Sequence, residues 1–135
     1  MPKQKDKITS NLMGLIFAED RFIILDDGWI KDKLTGLDWG PSSAEEMTFI
    51  KAETYWENLG GRLPTIHEIF SLVDFSKRDP ASQKAFADMK LDWYWTGTTV
   101  AGNSDVAWCV NFHSGNVDST HKDNNNFVRP VRPSQ

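Results

Sequence analysis

A tight turn joined to a helix start constrains this chain more than any other stretch: Gly60-Gly61-Arg62-Leu63-Pro64-Thr65-Ile66-His67-Glu68. Thr65 and Glu68 have the spacing of a capping box, in which a hydroxyl and a carboxylate each satisfy an orphan backbone N–H of the first helical turn. Ile66, Ile69, Phe70 and Val73 then recur at i, i+3, i+4 and i+7, which predicts a helix over 66–75 with one apolar face. Arg62 stands just ahead of it, where its guanidinium fork would tie the helix start to neighbouring carbonyls or carboxylates. This is a folding device, not a catalytic one, so function has to be sought elsewhere in the chain.

At 135 residues the chain has the length of one domain. Such a chain buries roughly two-thirds of its unfolded surface, enough for a real core. Six Trp and eight Phe make that core aromatic. A net charge of -4 without a long run of one sign argues against nucleic acid or an anionic membrane as partner. Cys109 is the single cysteine, so stability must come from packing and not from an intramolecular disulfide. No apolar run approaches the ~20 residues of a membrane span. Lys3, Lys5 and Lys7 precede an apolar stretch at 12–18, but that stretch is short and no small-x-small cleavage site follows, so a signal peptide is not convincing. The reading is an extension over 1–20, with 10–17 as a short helix or added strand, packed on a domain over 21–135. Its address stays open between the cytoplasm and export by a non-Sec route.

Along the domain, 21–25, 29–30 and 34–39 read as short strands, with Asp26-Asp27-Gly28 as a turn. Ser42 and Glu45 form a second capping-box pattern, which predicts a helix over 42–59 stopped by Gly60. Its buried stripe would be Phe49, Ala52, Trp56 and Leu59, widened by Met47 and Ile50. Asp79-Pro80 has the form of an N-cap followed by Pro at the first helical position, predicting a third helix to about Met89. The pattern then turns to strands: 93–96, and 106–113 with period 2, a turn at Ser114-Gly115-Asn116, a return over 117–120, and a last strand over 127–132. Pro130 places that last strand at an edge or a bulge. Strands, then helices, then strands make a single α+β domain, with two to three helices packed on short, mostly antiparallel strands.

Several separated motifs carry a resemblance: Gly28-Trp29-Ile30, Asp32, Thr35-Gly36-Leu37-Asp38-Trp39, Arg62-Leu63-Pro64-Thr65 with Glu68, and Ser71-Leu72-Val73-Asp74. Tyr94-Trp95-Thr96, Thr98-Thr99, Ala107-Trp108, Val110-Asn111-Phe112, Gly115 and Val128-Arg129-Pro130-Val131-Arg132 continue it. Over about 21–132 the chain resembles a bacterial family of unknown function that includes the C-terminal domain of a collagen-like adhesin. The resemblance implies a C-type-lectin-like fold, related to formylglycine-generating-enzyme-like domains and to the variable proteins of diversity-generating retroelements. It also implies a ligand-binding or adhesive module, the adhesin member binding sulfated polysaccharides. The acidic balance of this chain does not match a sulfated polymer.

If Trp108, Val110, Phe112 and Val117 face the core, then Cys109, Asn111, His113, Asn116, Asp118 and Thr120 form an outward polar face, followed by Asn124, Asn125 and Asn126. Asp, Asn, Ser, Thr and His on a rigid sheet supply many donors and acceptors at small entropic cost. The expected ligand-binding face is therefore Trp93, Thr98, Asn103, Asp105, Asn111, His113, Asn116, Asp118, Ser119 and His121. Its partner would be a protein or a glycan, with Trp93 as the surface aromatic and Trp95 and Trp108 as core. No cofactor and no metal are expected: His67, His113 and His121 lack ligand spacing, and Asp105, Asp118 and Asp123 do not make a lectin calcium motif. Arg129 and Arg132 read as structural ion-pair partners, for example of Asp74 or Glu68. The reading is non-enzymatic. A formylglycine-generating type of enzyme working through Cys109, and a homo-oligomeric adhesin tip, are the alternatives.

Overall fold

The computed structural model describes residues 15–134. The expected extension therefore falls largely outside the described residues. Residues 15–17 are helical, and the Ile16 carbonyl accepts from Arg21 Nη1 at 3.0 Å.

Seven antiparallel strands form two sheets. The first contains β1 (Phe22–Ile24), β2 (Ile30–Asp32), β3 (Leu37–Trp39) and β7 (Val131–Pro133), in that order across the sheet. The second contains β4 (Trp93–Thr99), β5 (Val106–Asn111) and β6 (Val117–His121). Between the sheets in sequence come helices α1 (Phe49–Asn58) and α2 (Ile66–Phe70). This is the α+β domain that the order of patterns predicts, and Pro133 and Pro130 do stand in and beside an edge strand.

The first sheet is locked to the rest by a buried ion pair. All five N–H groups of the Arg21 guanidinium find acceptors: Asp32 Oδ1 and Oδ2 at 2.8 and 3.0 Å, the Ser71 hydroxyl and carbonyl at 2.9 and 3.1 Å, and the Ile16 carbonyl. Asp32 Oδ2 also accepts from Trp39 Nε1 at 3.0 Å, and Oδ1 from Leu34 N at 3.0 Å. Both charged side chains are essentially unexposed. Burial alone would raise the Asp32 carboxyl, but the Arg21 and Trp39 hydrogen bonds outweigh it and hold the group below the usual carboxylate value.

Two cores flank the second sheet. Ile30, Trp39 and Val131 from the first sheet meet Tyr94 and Val110 from the second and Phe112 just past β5, with Ile69, Leu72 and Phe86 filling between. Edge-on pairs of Tyr94 with Phe112 (5.5 Å) and Trp39 with Phe86 (6.2 Å) fix the ring orientations. Such pairs add about 0.5–1.5 kcal/mol beyond burial. The opposite face carries Trp95, Ala107 and Cys109 and is covered by Phe49 and Ala52 of α1 together with Leu63 and Val128.

The capping box at Thr65 is complete: Glu68 N donates to Thr65 Oγ1 and Thr65 N to Glu68 Oε1, at 3.1 and 2.7 Å. Arg62 reaches the same carboxylate with both Nη atoms at 2.8 and 2.9 Å. The helix itself is shorter than its periodicity suggests, ending at Phe70 and passing into turns, with Phe70 turned outward against Phe75 at 5.8 Å.

Two helix predictions need correction. The helix placed over 42–59 begins at Phe49, with Thr48 as its N-cap. Ser42 and Ser43 serve longer-range bonds instead: Ser42 Oγ pairs with Tyr94 Oη at 2.6 Å, and Val128 N donates to Ser43 Oγ at 3.0 Å. Ile50, expected to widen the buried stripe, is 73% exposed. The helix placed over 80–89 does not form. Asp79 has φ 55, unlike an extended N-cap. The N–H groups of Ala81 and Gln83 are spent on the Phe112 and Leu72 carbonyls. Nor do Arg129 and Arg132 pair with Asp74 or Glu68. Arg129, fully buried, binds Asp88 and the Gly40 carbonyl, and Arg132 bridges Asp27 and Asp38.

Replacing Asp32 by Ala leaves the Arg21 charge buried and unpaired, and is expected to cost about 3–5 kcal/mol in urea unfolding. Because the folded carboxyl lies below its unfolded value of about 3.9, its contribution is present above that value. It is lost as pH falls through the folded value, and an acid titration of wild type against the variant checks the sign. Gly61→Ala would drive a Cβ into the Val131 carbonyl oxygen. It should therefore lower the melting temperature by breaking the 2.8 Å Arg62–Val131 backbone bond that fastens β7 to the α1–α2 turn.

Candidate functional site

Register decides which side chains share a face, because directly opposed residues of antiparallel strands point the same way. Trp93 opposes Asn111, Trp95 opposes Cys109, Cys109 opposes Asp118, and Ala107 opposes Thr120. These residues share the face covered by α1. Tyr94, Val110 and Val117 share the other, as do Trp108 with Ser119 and Val106 with His121. A one-sided polar surface is thus not what the hairpin presents. Both faces of β5 enter a core, so Cys109, expected to point outward, is 1% exposed, and Val117, expected to point inward, is 41% exposed.

Helix α1 covers only part of its face. Beyond it a cavity of about 190 Å³ opens, lined by Trp93, Cys109, Asp118, Ser119, Thr120 and Asn126. Half-buried Trp93 packs on the α1 core and makes one wall. Asp118 is exposed on β6, and one of its oxygens accepts from Ser119 N at 2.7 Å. Asn126, 7% exposed, is positioned by a two-bond backbone bridge to Met47 and donates Nδ2 to Cys109 Sγ at 3.5 Å. Thr120 Oγ1 accepts from Asn124 Nδ2. Burial, and after it the Asp118 carboxylate, push the Cys109 thiol up to about 12, so it stays a neutral thiol at ordinary pH.

Of the ten residues expected on the binding face, the structure brings Trp93, Asp118 and Ser119 to this cavity, with Asn111 beside Trp93. His113 and Asn116 lie at the β5–β6 turn, where His113 Nε2 is 2.9 Å from Asp79 Oδ1. Asp105 and His121 line a separate groove against Phe49 and Lys122, and Asn103 sits in the adjoining β4–β5 turn, bonded to Asp105 N. Thr98 has a structural bond, its Oγ1 accepting from Ile66 N at 2.9 Å at the start of α2. The cavity residues outside those ten are Cys109, Thr120 and Asn126, which the alternation puts with the outward polar face. Asn126 is the least legible of them, since only its bridge to a loop 79 positions earlier singles it out from Asn124 and Asn125.

Among the described residues, no group of three or more His, Cys, Asp or Glu is placed to hold a metal ion, and no helix is long and apolar enough to cross a membrane. An α+β domain whose second sheet exposes a small aromatic and polar cavity is the class that these features define. Residues 28–132 match the family described as the Lcl C-terminal domain, and the chain belongs to that family, a bacterial domain of adhesin-like type. No curated protein matches it.

Native Cys109 should resist alkylation at neutral pH and react only after denaturation, as followed by mass spectrometry; fast native labelling would mean that its cover is looser than the packing indicates.

Proposed function

We propose that the chain is a non-enzymatic ligand-binding module of C-type-lectin-like architecture that engages a protein or glycan at the cavity beside Trp93. The observation that carries this reading is the cavity itself. A half-buried indole, a carboxylate, the Thr120 hydroxyl and a buried amide converge on about 190 Å³. An aromatic wall with a few fixed polar groups is the common composition of small binding sites. The sheet and α1 hold these side chains through the Phe49–Trp95 edge contact at 5.5 Å and the Trp95 Nε1 bond to the Met47 carbonyl at 2.8 Å. Recognition therefore requires little ordering of the protein.

A buried, neutral thiol supports the non-enzymatic side of the reading. A formylglycine-generating type of reaction would need Cys109 reachable and readily deprotonated, whereas it is 1% exposed.

A screen on glycan and protein arrays tests the proposal. A ligand retained by wild type should be lost, by tenfold or more in Kd (about 1.4 kcal/mol), in Trp93→Ala combined with Asp118→Ala. His113→Ala and His121→Ala, lying elsewhere, should bind as wild type does. The reverse pattern would move the site to the hairpin end or to the Phe49 groove.

A further inference from the structure

One carboxylate lines the cavity, and two more stand near its lining residues in the chain. Asp118 lines it, Asp92 precedes Trp93 and accepts from its backbone N–H at 2.8 Å, and Glu46 adjoins Met47, the bridge partner of Asn126. None of these three carboxylates has a Lys, Arg or His within ion-pair distance among the described residues. The Glu46 carboxyl is raised by burial and by the facing Asp92 carboxyl, as expected for like charges held together without a counterion.

Asn126 contributes an acceptor to the same wall. It is 7% exposed, and its amide nitrogen is occupied by Cys109 Sγ. Its amide oxygen, on the cavity wall, accepts no hydrogen bond among the described residues. That oxygen is not sealed from solvent, so it is open to a donor from a ligand. The lining thus offers a carboxylate and an open acceptor at one place, beside an indole.

Building on the proposed binding role of this cavity, we infer that it receives the charged end of a lysine or arginine side chain from a basic stretch of a protein partner. A cation against an indole is favoured by the ring quadrupole, and more so where water is excluded. Asp118 supplies the opposite charge and the Asn126 oxygen a hydrogen-bond acceptor. A volume of about 190 Å³ accommodates an ammonium or guanidinium with its last methylenes. A metal ion is the poorer fit, because no three ligating side chains converge. A sulfated polymer would meet three uncompensated carboxylates. Glu46 and Asp92 lie beyond the cavity, so a segment carrying several positive groups gains more than a single cation does, and its association is steered and salt-sensitive.

Titrating the full chain with an oligolysine peptide, followed by NMR, tests the inference. The Trp93 indole and Asn126 side-chain amide signals should move and saturate, and added salt should weaken the binding. Asp118→Asn with Glu46→Gln should weaken it about tenfold with an unchanged melting temperature. Heparin oligosaccharides or neutral hexoses moving those signals while the peptide does not would overturn the inference but keep the cavity as a binding site. An amino sugar acting alone would overturn the assignment to a protein partner. If the peptide and these saccharides all leave both signals unmoved, the inference and the binding role of the cavity fall together.

Discussion

The buried pairing of Arg21 with Asp32 is the constraint on which the rest of the fold depends. Two opposite charges are removed from water, so the arrangement holds only if every hydrogen-bonding position is used, and it is: Ser71, Ile16, Leu34 and Trp39 complete the set. A buried ion pair satisfied in this way is weak evidence for added stability, because desolvation offsets much of its attraction. Its effect here is positional. The Ser71 bonds bring the end of α2 against β1 and β2, and the indole bond fixes Trp39 over Phe86 between the two sheets. The second sheet then packs on an inner face whose shape is already set.

The elements most legible in the sequence are those specified by neighbours in the chain. The Thr65–Glu68 box, the Gly60 stop and the β5–β6 hairpin all rest on local spacing, and all form. The false helix starts at Ser42 and Asp79 have equally good local patterns, but their backbone and side-chain groups are claimed from a distance. Val128 lies 85 positions from Ser43, and Phe112 takes the Ala81 N–H. Local propensity yields to such tertiary claims, and one sequence carries no signal of them.

The binding face divided for a related reason. Alternation along β5 is real, but inferring one wet face from it assumes that a single side of the sheet is covered. Helix α1 covers the second side, so Cys109 and Ala107 are core residues on the face that also holds Asp118 and Thr120. What stays open is the margin α1 does not reach. A carboxylate, an indole and an amide meet there from β6, β4 and the loop that follows β6. Trp93 and Asp118 could be singled out from composition and register. Asn126 required the chain path.

The placement of β7 has a consequence for how the molecule is made. Strand Val131–Pro133 pairs with Leu37–Trp39, across almost the whole sequence, and Arg132 reaches back to Asp27 and Asp38. Pairing of such long sequence separation is slow to find and cannot begin until residues 131–133 have followed β3 out of the ribosome. Until then β3 presents a bare edge and Trp39 lacks Val131 beside it, so the nascent sheet stays unfinished while every element between β3 and β7 is being made.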